Sequence, residues 1–279
     1  MRKILLGVDA VNPDMDALDF ACYLARLTKS KVTGVFLENL VAAEIPVVKQ
    51  MQGIVSIDWQ VDEKSPGNAI KMGLVEKNIS FFKEACLRRS VTGRVHRDKG
   101  VPANELIEES RFADVIVVNS DTSFNKRYEG APTEFVRDIL KKAECPVIIA
   151  PGKFDAMDEI IFTYDKSASS VFAIKQFTYL FPELQNRKVS VVQVNAKGEW
   201  HGSDKRKFEE WLNDHYTDFH FEVEKGDSDA KLFEYLFKRK NIMIVMGAYG
   251  RNAVSHFFKP SHADLLLTTV TQPIFIAHF

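Results

Sequence analysis

The chain has 279 residues, 46% of them hydrophobic and 27% charged, enough for two ordinary cores of about 140 residues each. A formal net charge of -1 supplies no long-range field to attract DNA, RNA or an anionic membrane surface, which argues against nucleic-acid and membrane partners. Nothing approaches the roughly 18 to 20 uninterrupted apolar residues of a membrane span.

The opening Lys3-Ile4-Leu5-Leu6-Gly7-Val8-Asp9 reads as a strand, and its acid arrives too early for a signal-peptide core, so a cytoplasmic protein is expected. Cys22, Cys86 and Cys145 are far apart without C-x-x-C spacing, which fits a reducing compartment and predicts neither disulfides nor a thiolate metal site. A helical pattern of Ala17, Leu18, Ala21, Leu24 and Ala25 follows, with Asp14 as its cap. From about 41 to 67, Pro46, Gly53 and Pro66 break any long element, and the stretch reads as an inserted loop with a short hairpin. An amphipathic helix then runs from Ile70 to Leu87, Gly100-Val101-Pro102 precedes a helix carrying Leu106 and Ile107, and Asp114 to Val118 and Cys145 to Ala150 are apolar strands.

After the turn-rich Pro151-Gly152-Lys153-Phe154-Asp155 the same order of elements returns. Ile160 to Asp165 answers Ile4 to Asp9, and Ser167 caps a helix marked by Val171, Ile174, Phe177 and Phe181. Phe208, Trp211, Leu212 and Tyr216 mark another amphipathic helix. Lys225-Gly226 and Leu232-Phe233 lead to Asn241 to Met246, and Gln272-Pro273 opens a closing strand as Cys145-Pro146 does. The offset pairing Pro146 with Pro273 pairs Ser120 with Gly247. The domains are therefore placed at 1–152 and 153–279. Short apolar strands alternating with amphipathic helices predict an α/β chain of two tandem doubly wound, Rossmann-like domains, each with a mainly parallel five-stranded sheet flanked by helices.

Ligands of such sheets sit beyond the carboxyl ends of the strands, where strand order switches. There the second half carries Gly247-Ala248-Tyr249-Gly250, nine residues from Arg251 to Lys259, and Pro260-Ser261-His262 opening a helix. Glycines admit main-chain N–H groups to a phosphate, and a serine at a helix start adds a hydroxyl beside the positive dipole end.

This spacing resembles the G-x-x-G, nine residues, Gly-Ser or Gly-Thr pattern of the universal stress proteins that bind nucleotides. Lys3 to Asp9, Gly100-Val101-Pro102 and Cys145-Pro146-Val147 are similar to other signatures of that family. The resemblance implies a stress-response protein holding ATP or AMP, with Mg if ATP, as a regulatory ligand. It places Asp165 and the main chain near Val194 against adenine, Gly247, Gly250 and Ser261 on ribose and phosphates, and Tyr249 and Pro260 beside them; Met246 joins the site as the residue before Gly247, and His262, following Ser261, is within reach of a phosphate. The departure is Pro260, where the family has glycine. A hydrogen bond to a charged group is worth about 1.5 to 3 kcal/mol, so the missing N–H weakens affinity roughly 10- to 100-fold. In the first half Ser120-Asp121-Thr122-Ser123 replaces the glycines and Thr133-Glu134 the Gly-Ser pair, so that repeat is expected to be degenerate.

Six of seven histidines, His201, His215, His220, His256, His262 and His278, lie in the second half, but none has H-x-x-x-H spacing, and no metal site is expected. Phe233, Tyr235 and Phe237 read as core and interface packing. A phospho-receiver would need a Lys after the fifth strand, where Pro151 and His278 stand. No nucleophile and base pair emerges, so the expectation is a protein that is not an enzyme, with at most slow ATP hydrolysis. The alternative function is a nucleotide-free interaction or scaffold module with an unidentified protein partner. In either case the resemblance implies an intrachain pseudo-dimer in which Val147 to Ala150 meets Ile274 to Ala277, with association into a homodimer left open.

Overall fold

A computed structural model describes residues 1–39, 44–51, 54–61, 66–125, 127–247 and 271–277. Asp14 starts the first helix by accepting from Asp16 N and Ala17 N, and Lys29 in the left-handed region (φ 51°) ends it. The first half runs β1 (Lys3–Asp9), α1 (Met15–Thr28), β2 (Lys31–Leu37), β3 (Glu44–Met51), β4 (Ile54–Val61), α2 (Pro66–Arg88), β5 (Gly93–Asp98), α3 (Pro102–Ser110), β6 (Val115–Val118), α4 (Glu134–Lys142) and β7 (Val147–Ile149). The second runs β8 (Glu159–Thr163), α5 (Ala168–Leu180), β9 (Lys188–Asn195), α6 (Gly202–Asn213), β10 (Phe219–Lys225), α7 (Ser228–Phe237), β11 (Ile242–Gly247) and β12 (Ile274–Ala277). The inserted stretch forms the antiparallel hairpin β3–β4, a separate two-stranded sheet. α2 begins at Pro66, ahead of its apolar pattern, because proline is accommodated in a helix's first turn.

The other ten strands form one sheet in the order β10-β9-β8-β11-β12-β7-β6-β1-β2-β5. Each half thus contributes five strands, wound outward in both directions from its first. All neighbours are parallel except β12 and β7, which pair antiparallel through Ile274↔Ile149, Phe275↔Ile148 and Ile276↔Val147. The two five-stranded sheets are therefore fused along their last strands, and each covers an apolar edge that the other would leave bare.

Side chains alternate between two cores. Ile4, Leu6, Phe162 and Phe275 pack under α1, α2, α5 and α6; Leu5, Ile116, Ile161 and Ile276 pack under α3, α4 and α7. This alternation corrects one point of the repeat alignment. Val117 pairs with Ile148 and Leu6, and Val245 with Phe275 and Phe162, all on the same face. Val117 is thus the counterpart of Val245, which puts Asn119, not Ser120, at the place of Gly247. A slip of one residue would have turned every side chain of the strand to the wrong face. Among the described residues no helix is long and apolar enough to cross a membrane.

Candidate functional site

In each half strand order reverses between the first and fourth strands, at β1/β6 and at β8/β11. Four residues expected at the second-half site converge on this carboxyl edge: Asp165 two residues after β8, Val194 near the end of β9, and Met246 and Gly247 closing β11. Val194 and Met246 are 7% and 3% exposed and share the face covered by α7. Tyr249, Gly250, Pro260, Ser261 and His262 lie outside the described residues.

The turn from β8 into α5 is tied by short-range bonds. Asp165 Oδ1 accepts from Ser167 N at 2.9 Å, Lys166 takes a left-handed φ of 70°, and Ser167 Oγ accepts from Ser170 N at 3.0 Å. The first turn of α5 carries no acid of its own, and the nearest carboxylate is that of Asp165 on the amide of the capping Ser167. Gly247 lies hard against that turn. A Cβ on it would stand 2.5 Å from Ser169 C and Ser170 N and 2.7 Å from Ser169 O. Main-chain atoms cannot yield as a flexible side chain can, so this contact alone requires glycine.

At the equivalent point of the first half, side chains occupy the ground. Asn119 Nδ2 donates to Asp14 Oδ2, and Asn119 Oδ1 accepts from Asp121 N at 2.9 Å. The following loop folds back on itself: Thr133 N donates to Ser120 O at 3.2 Å, Thr133 Oγ1 donates to Thr122 O, and Ser123 Oγ and Asn125 Nδ2 donate to the Glu129 carboxylate at 2.8 and 3.0 Å. The bond from Asn125 holds the Glu129 carboxyl below the usual range. Phe124 packs edge-on against Phe135 at 5.0 Å, in the wall of a 750 Å³ depression lined by three acids, Glu129, Glu134 and Asp138, and two cations, Lys71 and Arg127. Helices α1 and α4 each carry an acid in the first turn, Asp16 and Glu134. The loop thus spends its polar groups on its own side chains and main chain.

The whole chain matches known structures of this architecture. A universal stress protein from Archaeoglobus fulgidus DSM 4304 superposes at TM-score 0.70 with 17% identity over 99% of this chain and 98% of that one. The chain has the universal stress protein fold. A putative universal stress protein from Pseudomonas aeruginosa UCBPP-PA14 matches at TM-score 0.61 and 11% identity, covering 100% of this chain and 93% of that one. A functionally unknown protein from Pseudomonas aeruginosa PAO1 matches at 0.58 and 14%, covering 100% and 92%. No protein-family model and no curated protein matches the sequence.

On this universal stress protein fold the structure also assembles a cluster that sequence spacing did not reveal. Ligand atoms of Glu159, His220 and Glu222 lie within 4.8 Å of one another. Arg239 bonds both carboxylates at 2.9 and 3.1 Å and Lys188 reaches Glu159 at 3.3 Å, so two cations already balance the two acids. Burial opposes ionisation of Glu159, but Ser190, Arg239 and Lys188 outweigh it and hold its carboxyl below the usual range. The only signal was His-x-Glu on β10, which alternation puts on one face; Glu159 comes from β8, far away in sequence. Of the aromatic trio, Phe233 and Tyr235 pack against the core, and Arg239 sits 4.2 Å over the Tyr235 ring. Phe237, expected to be packed, stacks on Phe233 yet is 60% exposed because it ends α7 at the surface.

Proposed function

We propose that this chain acts as a universal stress protein in the stress response, binding an adenine nucleotide, ATP or AMP, at the switch point of its second half as a regulatory ligand. One observation carries the reading: the two switch points share a topology but differ in chemistry. In the first half Asn119, Asp14, Thr133 and Glu129 occupy the space and are tied up in hydrogen bonds within the chain. In the second, the strand ends in Gly247 against a helix whose first turn carries no acid, and the chain after it supplies Gly250, Arg251, Lys259 and Ser261. In this reading Asp165 and the main chain near Val194 meet the adenine, and Mg accompanies the ligand if it is ATP. The proposal is of a sensor whose surface changes for a protein partner, with at most slow ATP hydrolysis. A second reading, a nucleotide-free interaction module, is favoured by Gly247 itself, whose packing explains the glycine without any ligand.

Isothermal titration separates the two. The sensor gives saturable heat with AMP or ATP at millimolar ligand or below, and Ser261→Ala or Gly250→Val lowers the affinity about tenfold or more. Absence of heat from the unaltered protein ends the nucleotide reading. Gly247→Val is a poor probe, because it would disturb α5 as well as any ligand.

A further inference from the structure

A second cleft opens on the opposite face of the sheet from Val194 and Met246, between α5 and α6. Its volume is 310 Å³, within the range of about 300 to 1,000 Å³ usual for small-molecule sites. Tyr164, Ile174 and Phe208 form the apolar floor, at 6%, 1% and 8% exposure, and Trp211 stands at the side. The floor is rigid: the Tyr164 ring stacks on Trp200 at 5.7 Å and 2°, meets Phe208 edge-on at 4.8 Å, and donates its hydroxyl to Asp204 Oδ2 at 3.2 Å.

The charges at the rim have a positive excess. Lys175 and Lys207 both line the cleft, and neither has an ion-pair partner among the described residues. Asp204 is the one acid of the lining, and it is engaged by Tyr164. Two cations against one acid leave the mouth positive above an aromatic bed. Flat aromatic surfaces favour a planar ring laid on or against them, while ammonium groups without partners gain from an anion.

We propose that this cleft is a ligand site for a small planar aromatic carboxylate, with its ring on Phe208 and Trp211 and its carboxylate between Lys175 and Lys207. The site shares no residue with the candidate nucleotide site, so it stands or falls separately from the function proposed above. Binding there would brace α5, the helix whose first turn lies against Gly247.

The test uses the full chain with 2-naphthoate and its uncharged analogue 2-naphthalenemethanol, followed by titration calorimetry and tryptophan fluorescence. The site predicts saturable binding of the acid with a Kd of about 0.1 to 1 mM, and binding of the alcohol at least about tenfold weaker. Lys175→Ala combined with Lys207→Ala lowers affinity for the acid about tenfold. Both lysines are exposed, so an unchanged melting temperature shows that the variant is folded. Hydrogen exchange slows in α5 and α6 on adding the acid, and saturating AMP does not displace it. Lack of saturation, equal binding of acid and alcohol, or undiminished binding to the double variant would overturn the site; displacement by AMP would overturn its separateness.

Discussion

Gly247→Ala places a side chain where main-chain atoms already stand. The new Cβ would lie 2.5 Å from Ser169 C and Ser170 N and 2.7 Å from Ser169 O, distances that side chains do not sustain. Gly247 is not among the glycines with positive φ, so the cost is contact and not backbone strain. Relieving it means shifting either β11 or the first turn of α5, and β11 is held by β8 on one side and β12 on the other. Overpacking of this kind costs about 1 to 3 kcal/mol, which for a chain of this size lowers Tm by about 3 to 10 °C. Gly152→Ala is the control, because a Cβ there meets nothing within 4 Å and should change stability by less than about 0.5 kcal/mol. Thermal and urea unfolding followed by circular dichroism compare the three proteins. If Gly247→Ala melts with the parent and with Gly152→Ala, the close approach of strand and helix is wrong.

Further outcomes follow from other parts of the fold. Truncation after Gln272 removes β12 and bares β7 and β11, so light scattering should find oligomers where the parent is uniform; a soluble, unchanged monomer would refute the fused sheet. Arg239→Met leaves Glu159 and Glu222 short of a partner and, after allowance for partial exposure, should cost about 1 to 3 kcal/mol at neutral pH. Their carboxyls titrate below the usual range when folded, so the stability they add is present above the ordinary carboxylate range and lost on acidification. The gap between parent and variant should accordingly narrow below about pH 4 in urea titrations, and a gap independent of pH would contradict the ion-pair account. Burial pushes the Cys145 thiol up to about 12 from an ordinary 9.0. The folded state then favours the neutral thiol, and this contribution, full below pH 9, fades as pH rises toward 12. Cys145→Ala should lose less stability than the parent over that interval, and parallel curves would count against the burial.

Much of the architecture was legible because its signals are periodic and doubled. The apolar runs ending in Asp9 and Asp165, and the strands after Pro146 and Pro273, marked two copies of one winding order, and parallel sheets covered on both faces need such runs. What escaped was register and what depends on it. The sequence from Asn119 to Pro146 is one residue longer than that from Gly247 to Pro273, so matching the two prolines pairs Ser120 with Gly247; only the alternation of faces shows Asn119 there, and with it the bond to Asp14. The cluster of Glu159, His220 and Glu222 was invisible for a related reason, since it joins residues from strands far apart in the chain. The sequence around Gly247 points to a phosphate, whereas its packing against Ser169 and Ser170 is a contact between distant segments that no local pattern discloses.

The asymmetry between the two switch points is tested most directly by photolabelling the intact protein with 8-azido-AMP and mapping the modified peptides by mass spectrometry. The account predicts label on peptides containing Asp165, Val194 or residues 247–262, suppressed by excess AMP. Label on residues 119–134, or none that AMP competes away, would contradict it.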